Sequence, residues 1–97
     1  MNTQQPDTMP LAEFTIFDTS SNWVSGKCGN YNFEAKLFDE PSEYGINEGR
    51  VSKLSITNGT TTIVNYDRGW DIEPVLSEKY YYDAIIQLLE NSPKRFI

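Results

Sequence analysis

The 97-residue chain contains no histidine. That removes the commonest general base, the histidine-assisted serine and cysteine nucleophiles, and most zinc and transition-metal sites. Cys28 is the one cysteine, so no disulfide can close within the chain and no multi-cysteine metal site can form. Positive charge is scarce as well. Eight Lys and Arg stand against fourteen Asp and Glu, giving a net charge of −6 and an isoelectric point near 4.4. A surface of that sign repels phosphate backbones and anionic lipid, which disfavours direct nucleic-acid or membrane binding. It suits plain solvation, and it also suits a partner with a basic groove. No apolar run approaches the ~20 residues of a membrane span, and residues 1–11 lack the basic and apolar regions of a leader. A reducing cytosol is the expected compartment. Asn58-Gly59-Thr60 matches a glycosylation acceptor that would be inert there, and it reads as a turn.

What is present supports one small core. Hydrophobic residues make up 38% of the chain and aromatics 13%, enough to offset chain entropy over most of its length. A chain of this size buries roughly 60–65% of its extended surface, so it forms a single domain without large cavities. Residues 1–12 are polar, contain Pro6 and Pro10, and read as a loose tail ahead of one domain over 13–97. Ordered structure is expected to start in the strand-like stretch Glu13-Phe14-Thr15-Ile16-Phe17.

Two hairpins follow. Gly29-Asn30 offers a two-residue turn, which sets Cys28 opposite Tyr31, Gly26 opposite Phe33 and Val24 opposite Ala35 on an apolar face. Lys27 with Asn32, Ser25 with Glu34 and Trp23 with Lys36 fall on the polar face, the alternation of a half-buried antiparallel pair. In the second hairpin Asn58-Gly59 reads as a type I′ turn between Val51–Thr57 and Thr60–Tyr66. That register sets Thr57 opposite Thr60, Leu54 opposite Ile63, Val51 opposite Tyr66 and Arg50 opposite Asp67, an opposite-charge pair. It leaves apolar groups on both faces, the pattern of a central or covered pair. A helix closes the chain. Ser77 is the expected N-cap, Tyr81, Ala84, Ile85, Leu88 and Leu89 form its apolar stripe, and Ser92-Pro93 ends it. The expected fold is α+β: an antiparallel sheet of four to five strands built from two hairpins, with one C-terminal helix packed on one face.

The open ends of both hairpins then meet the connection 39–49 and the segment 67–74 at one pole. Glu43, Tyr44, Glu48, Arg50, Asp67, Arg68, Trp70 and Asp71 are the candidate binding residues there. Arg50 with Asp67 also reads as a structural pair, and Trp70 reads either as an exposed interface anchor or as a cap on the core. The carboxylates could take a hard cation, yet no ordered Asp-x-Asp-x-Asp-Gly series is present, so neither metal nor cofactor is assigned. A carboxylate pair working on a glycoside is allowed by residue type, but the domain leaves no room for a deep sugar cleft. No catalytic residue is assigned, and the chain is read as a binder, not an enzyme. Tyr80-Tyr81-Tyr82 spans about 200° of a helical wheel, so the three cannot share one core. They offer either contact surface or cover for strand edges.

Five strings carry a resemblance: Trp23-x-x-Gly26, Phe33-x-Ala35-Lys36-x-Phe38, Ser42-Glu43-Tyr44-Gly45-Ile46-Asn47, Gly49-Arg50-Val51-Ser52-Lys53-Leu54 and Asp67-Arg68-Gly69-Trp70-Asp71. Over roughly residues 22–74 the chain resembles a small domain family of uncharacterised function from phages and prophage regions of bacteria. The resemblance implies an origin in a host bacterial cytosol and carries no catalytic residues. By size, charge and source it is similar to phage inhibitors of host defence, anti-CRISPR proteins among them. Several of those occupy basic nucleic-acid channels of their targets, an analogy that the fold class alone does not license.

Two functional readings follow. In one, the acidic pole meets the basic surface of a host defence effector, with Tyr44, Trp70 and a helix tyrosine as anchors. In the other, Arg50 and Arg68 take the phosphates of a nucleotide signal and Trp70 or Tyr44 stacks its base. A phage accessory or assembly protein that dimerises through a sheet edge is the plain alternative.

Overall fold

The computed structural model describes residues 14–20 and 22–92, so the expected tail and Pro93 lie outside the described residues. Six strands form one antiparallel sheet in strictly sequential order. They are β1 (Phe14–Ser20), β2 (Trp23–Cys28), β3 (Tyr31–Leu37), β4 (Val51–Asn58), β5 (Thr61–Asp67) and β6 (Trp70–Ile72). Helix α1 (Lys79–Glu90) follows a short 3₁₀ turn and covers one face.

The β2–β3 hairpin has the register read from its sequence, from Trp23 with Lys36 to Cys28 with Tyr31. Of the two turn residues, Gly29 alone lies at positive φ, the requirement of a turn whose first central residue is left-handed. The β4–β5 hairpin differs from its expected register. Asn58 stays in the strand and pairs with Thr61, so Gly59 and Thr60 make the turn, with Gly59 at φ +67°. Ile63 is then bulged between the Thr57–Thr62 and Ile56–Val64 pairs. The displaced turn and the bulge together move the pairing by three residues. Leu54 faces Tyr66, and Lys53, not Arg50, lies opposite Asp67. An odd displacement exchanges the two faces of a strand. Val64 and Tyr66 therefore join Leu54 and Ile56 in the core, while Ile63 turns to the partly exposed side.

The core lies between this sheet face and α1. Val24, Phe33 and Ala35 meet Leu54, Ile56 and Val64 across β2 to β5, and Tyr82, Ile85 and Leu89 close over them. The buried helical stripe is thus centred one residue beyond the expected Tyr81, because α1 begins at Lys79 after the 3₁₀ turn. Glu78, not Ser77, holds the N-cap position, and its carboxylate accepts the Val75 N–H at 3.2 Å. Tyr80 is exposed, Tyr81 half-buried and Tyr82 buried, the division that three consecutive helical positions impose. The far face of the sheet has no helix on it among the described residues and is mostly polar. The sixth strand, β6, forms in a segment that reads as loop, after a tight turn in which Arg68 takes φ +58°.

Candidate functional site

The connection between β3 and β4 is a shaped loop. Ser42 N donates to Gly49 O at 3.0 Å, Glu48 N to Gly45 O at 3.0 Å and Gly49 N to Ile46 O at 2.9 Å. Ile46 anchors the loop in the core, while Asn47 and Glu48 take left-handed φ of 54° and 59°. Close packing fixes the glycines: a Cβ at Gly45 would overlap the Gly49 carbonyl oxygen, and one at Gly49 would overlap the Glu90 carboxylate.

Arg50 ties this loop to the end of the helix. It is only 7% exposed. Its Nε donates to Phe38 O at 3.0 Å, its Nη1 donates to Ser92 O at 2.7 Å, and its backbone N–H donates to Glu90 Oε2 at 2.8 Å. The cation sits where the last helical carbonyls carry partial negative charge, which favours it further. Arg50 is therefore a buried staple between loop and helix, and Lys53 takes the place opposite Asp67.

The other candidate residues are exposed. Glu43, Tyr44 and Glu48 lie on the loop, Asp67 and Arg68 at the β5–β6 corner, and Trp70 and Asp71 on β6. Tyr44 is 57% exposed, while its carbonyl accepts the Tyr66 hydroxyl at 2.8 Å. The Tyr66 ring lies 5.0 Å from that of Trp70, which reaches the Tyr82 ring at 5.9 Å. Trp70 thus packs on the Tyr66 and Tyr82 rings and remains 40% exposed. Asp67 lies 3.9 Å from Lys53 Nζ and 3.4 Å from Arg68 Nε, both solvent-exposed pairs of small energetic weight. Burial, aided by the charge of Asp83 and by Tyr66 and Glu73, pushes the Tyr82 phenol up to about 12.

Five contributors are absent from the sequence-based set. Glu90 and Ser92 hold Arg50 from forty and more residues away, a separation that no local pattern signals. Ile72, Val75 and Leu76 extend the exposed apolar surface from Trp70 toward Tyr80, with Leu76 88% exposed. Val75 and Leu76 lie just outside the helical stripe, and that position was the available clue. Asp71, Glu73 and Glu78 alternate with these residues.

Among the described residues, no group of three or more His, Cys, Asp or Glu is arranged to hold a metal ion. None of their helices is long and apolar enough to cross a membrane. No curated protein and no solved structure matches the chain. A family model does match over residues 22–90, from the turn ahead of β2 to the end of α1, and so takes in the helix that the resemblance in the sequence leaves aside. The chain therefore belongs to the family described as Domain of unknown function (DUF7678).

Proposed function

We propose that the domain is a non-catalytic protein-binding module of phage type that inhibits a host defence effector by occupying a basic surface on it. The observation that carries this reading is the stretch 70–80. There Trp70, Ile72, Val75, Leu76 and Tyr80 are exposed and interleaved with Asp71, Glu73 and Glu78. Exposed aromatic and aliphatic groups supply contact area, and the carboxylates select a basic partner and repel nucleic acid and anionic lipid. Tyr44 joins this surface through Tyr66, and the loop bearing Glu43 and Glu48 is held rigid by the Arg50 staple. A rigid display lowers the ordering cost of association.

Burial of Arg50 weakens the nucleotide reading at this pole, since one of its two phosphate-binding groups is turned inward. The test is capture of partners from a defence-bearing host by wild type, Glu48→Lys and Asp71→Lys, followed by assay of the captured effector's activity with each. Wild type is expected to bind and inhibit. Each charge reversal weakens binding about tenfold at low salt without unfolding the domain, and the difference fades as ~1 M salt shortens the screening length to ~3 Å. Variants that bind as tightly as wild type at low salt remove the electrostatic element. A captured protein whose activity is unchanged removes inhibition.

A further inference from the structure

The six basic residues among those described are unevenly placed. Arg50 is taken up by backbone carbonyls, Lys79 reaches Asp83 at 3.0 Å on the helix, and Arg68 sits at the β5–β6 corner. The remaining three, Lys27, Lys36 and Lys53, all project from the sheet face opposite α1, as their alternation with buried neighbours requires. In an acidic protein this face gathers three of the lysines, together with Glu34 and with Asp67 beside Lys53.

One row across that face is unusual. Reading from β2 to β5, Trp23 pairs with Lys36, Lys36 with Lys53, and Lys53 with Asp67. Two lysines directly opposite each other on neighbouring strands repel. Each has a partner on its outer side, the Trp23 ring for Lys36 and Asp67 at 3.9 Å for Lys53, so the repulsion is offset at the two ends of the row. Beside the pair stands an aromatic ring on a polar face: Trp23 is only partly buried, and Lys36 Nζ lies 5.8 Å from its ring centroid. Ser55, two residues beyond Lys53 on the same face, adds a hydroxyl donor.

We propose that this row is a binding site for a nucleoside phosphate, with the base on the Trp23 indole and the phosphate between the Lys36 and Lys53 ammonium groups. Strands lie ~4.8 Å apart, so the midpoint between the two lysines is about 7 Å from the strand that carries Trp23. A ribose joining base to phosphate bridges that interval. Asp67 closes the far end of the row and repels phosphate, which sets the direction of the ligand. Charge selects a single nucleotide over a strand. Two lysines neutralise one phosphate within a Debye length of ~8–10 Å, whereas a polynucleotide would lie against the rest of a −6 molecule. The site shares Asp67 alone with the acidic pole and does not rest on the protein-contact reading.

The experiment is an amide and indole N–H NMR titration of the full chain with adenosine monophosphate, in parallel with adenosine, inorganic phosphate and a short single-stranded oligonucleotide. Adenosine monophosphate is expected to shift the Trp23 indole and the amides of Lys36 and Lys53, leaving the Trp70 indole in place. The Lys36→Gln, Lys53→Gln double variant, its fold checked by circular dichroism, is expected to weaken binding at least tenfold. Absence of shifts in this row overturns the site, as do shifts that persist in the double variant. Equal affinity for inorganic phosphate overturns the role of Trp23, and tighter binding of the oligonucleotide overturns the assignment to a single nucleotide.

Discussion

At the hairpin tips, Gly29 and Gly59 each close a two-residue turn, and a Cβ at Gly59 would meet nothing within 4 Å. At the opposite end of the sheet the chain travels from β3 to β4 through a long loop whose geometry is fixed by non-local groups: Arg50 on Phe38 and Ser92, Glu90 on the Arg50 N–H, and Tyr66 on Tyr44. The Gly59 tip is specified by backbone conformation alone, while the Tyr81 ring lies against the Gly29 tip. The loop end is specified by buried polar contacts, and that support lets it hold exposed Tyr44, Glu43 and Glu48 in place. A surface built this way is rigid without being regular, which suits it to contact another molecule.

The comparison can be broken by mutation. Arg50→Ala is expected to have the largest effect, a loss of about 3 kcal/mol in urea unfolding. Two partly buried carbonyls, those of Phe38 and Ser92, lose a charged donor. A loss no larger than that of a tip substitution would show that the loop end is held by something other than this staple.

Tyr82 gives a second test through pH. Its folded phenol keeps its proton to about 12, above the ordinary tyrosine value of 10.0. The unfolded chain releases that proton first, so the stabilising contribution is complete below pH 10 and is lost as pH rises from about 10 to about 12. Wild type should lose on the order of 2 kcal/mol across that window, and Tyr82→Phe should remove this part of the slope. Because Trp70 packs on Tyr82, its fluorescence should report the change. An unchanged alkaline slope in the variant would place the titrating group elsewhere.

The smallest effect belongs to the tips. Gly59→Ala should cost about 1 kcal/mol, the price of a left-handed alanine with free space around it. A larger loss by thermal melting would mean that the tip is constrained by more than its own backbone.

The same contrast decides what the sequence made legible. The register of β2–β3 follows from a glycine-led turn between strands of clean alternation, and it is read without error. In β4–β5 the Asn58-Gly59 pair pointed to a turn one residue too early, and the Ile63 bulge has no compositional mark. A register without those two shifts exchanges the faces of β5 and gives the expected Arg50–Asp67 pair, which Lys53–Asp67 replaces. β6 was read as loop because the turn before it takes its left-handed residue at Arg68, where neighbouring Gly69 was the obvious breaker. The helix was recognisable from its period, but its first residue depends on the 3₁₀ turn, and the buried face moved to Tyr82 accordingly. Exposure of Tyr44 and the carboxylates was legible from their loop positions. The inward role of Arg50 was not, since its partners lie at the other end of the chain.

A sheet in which every strand pairs only with its neighbours in sequence can assemble hairpin by hairpin, each step closing a short length of chain. The bonds from Arg50 to Glu90 and Ser92 are different, because they exist only once α1 has docked across the finished sheet. The loop end therefore depends on the helix for its shape. A chain that stops short of α1 has neither Glu90 nor Ser92 to hold Arg50, so the acidic loop would be left without that support.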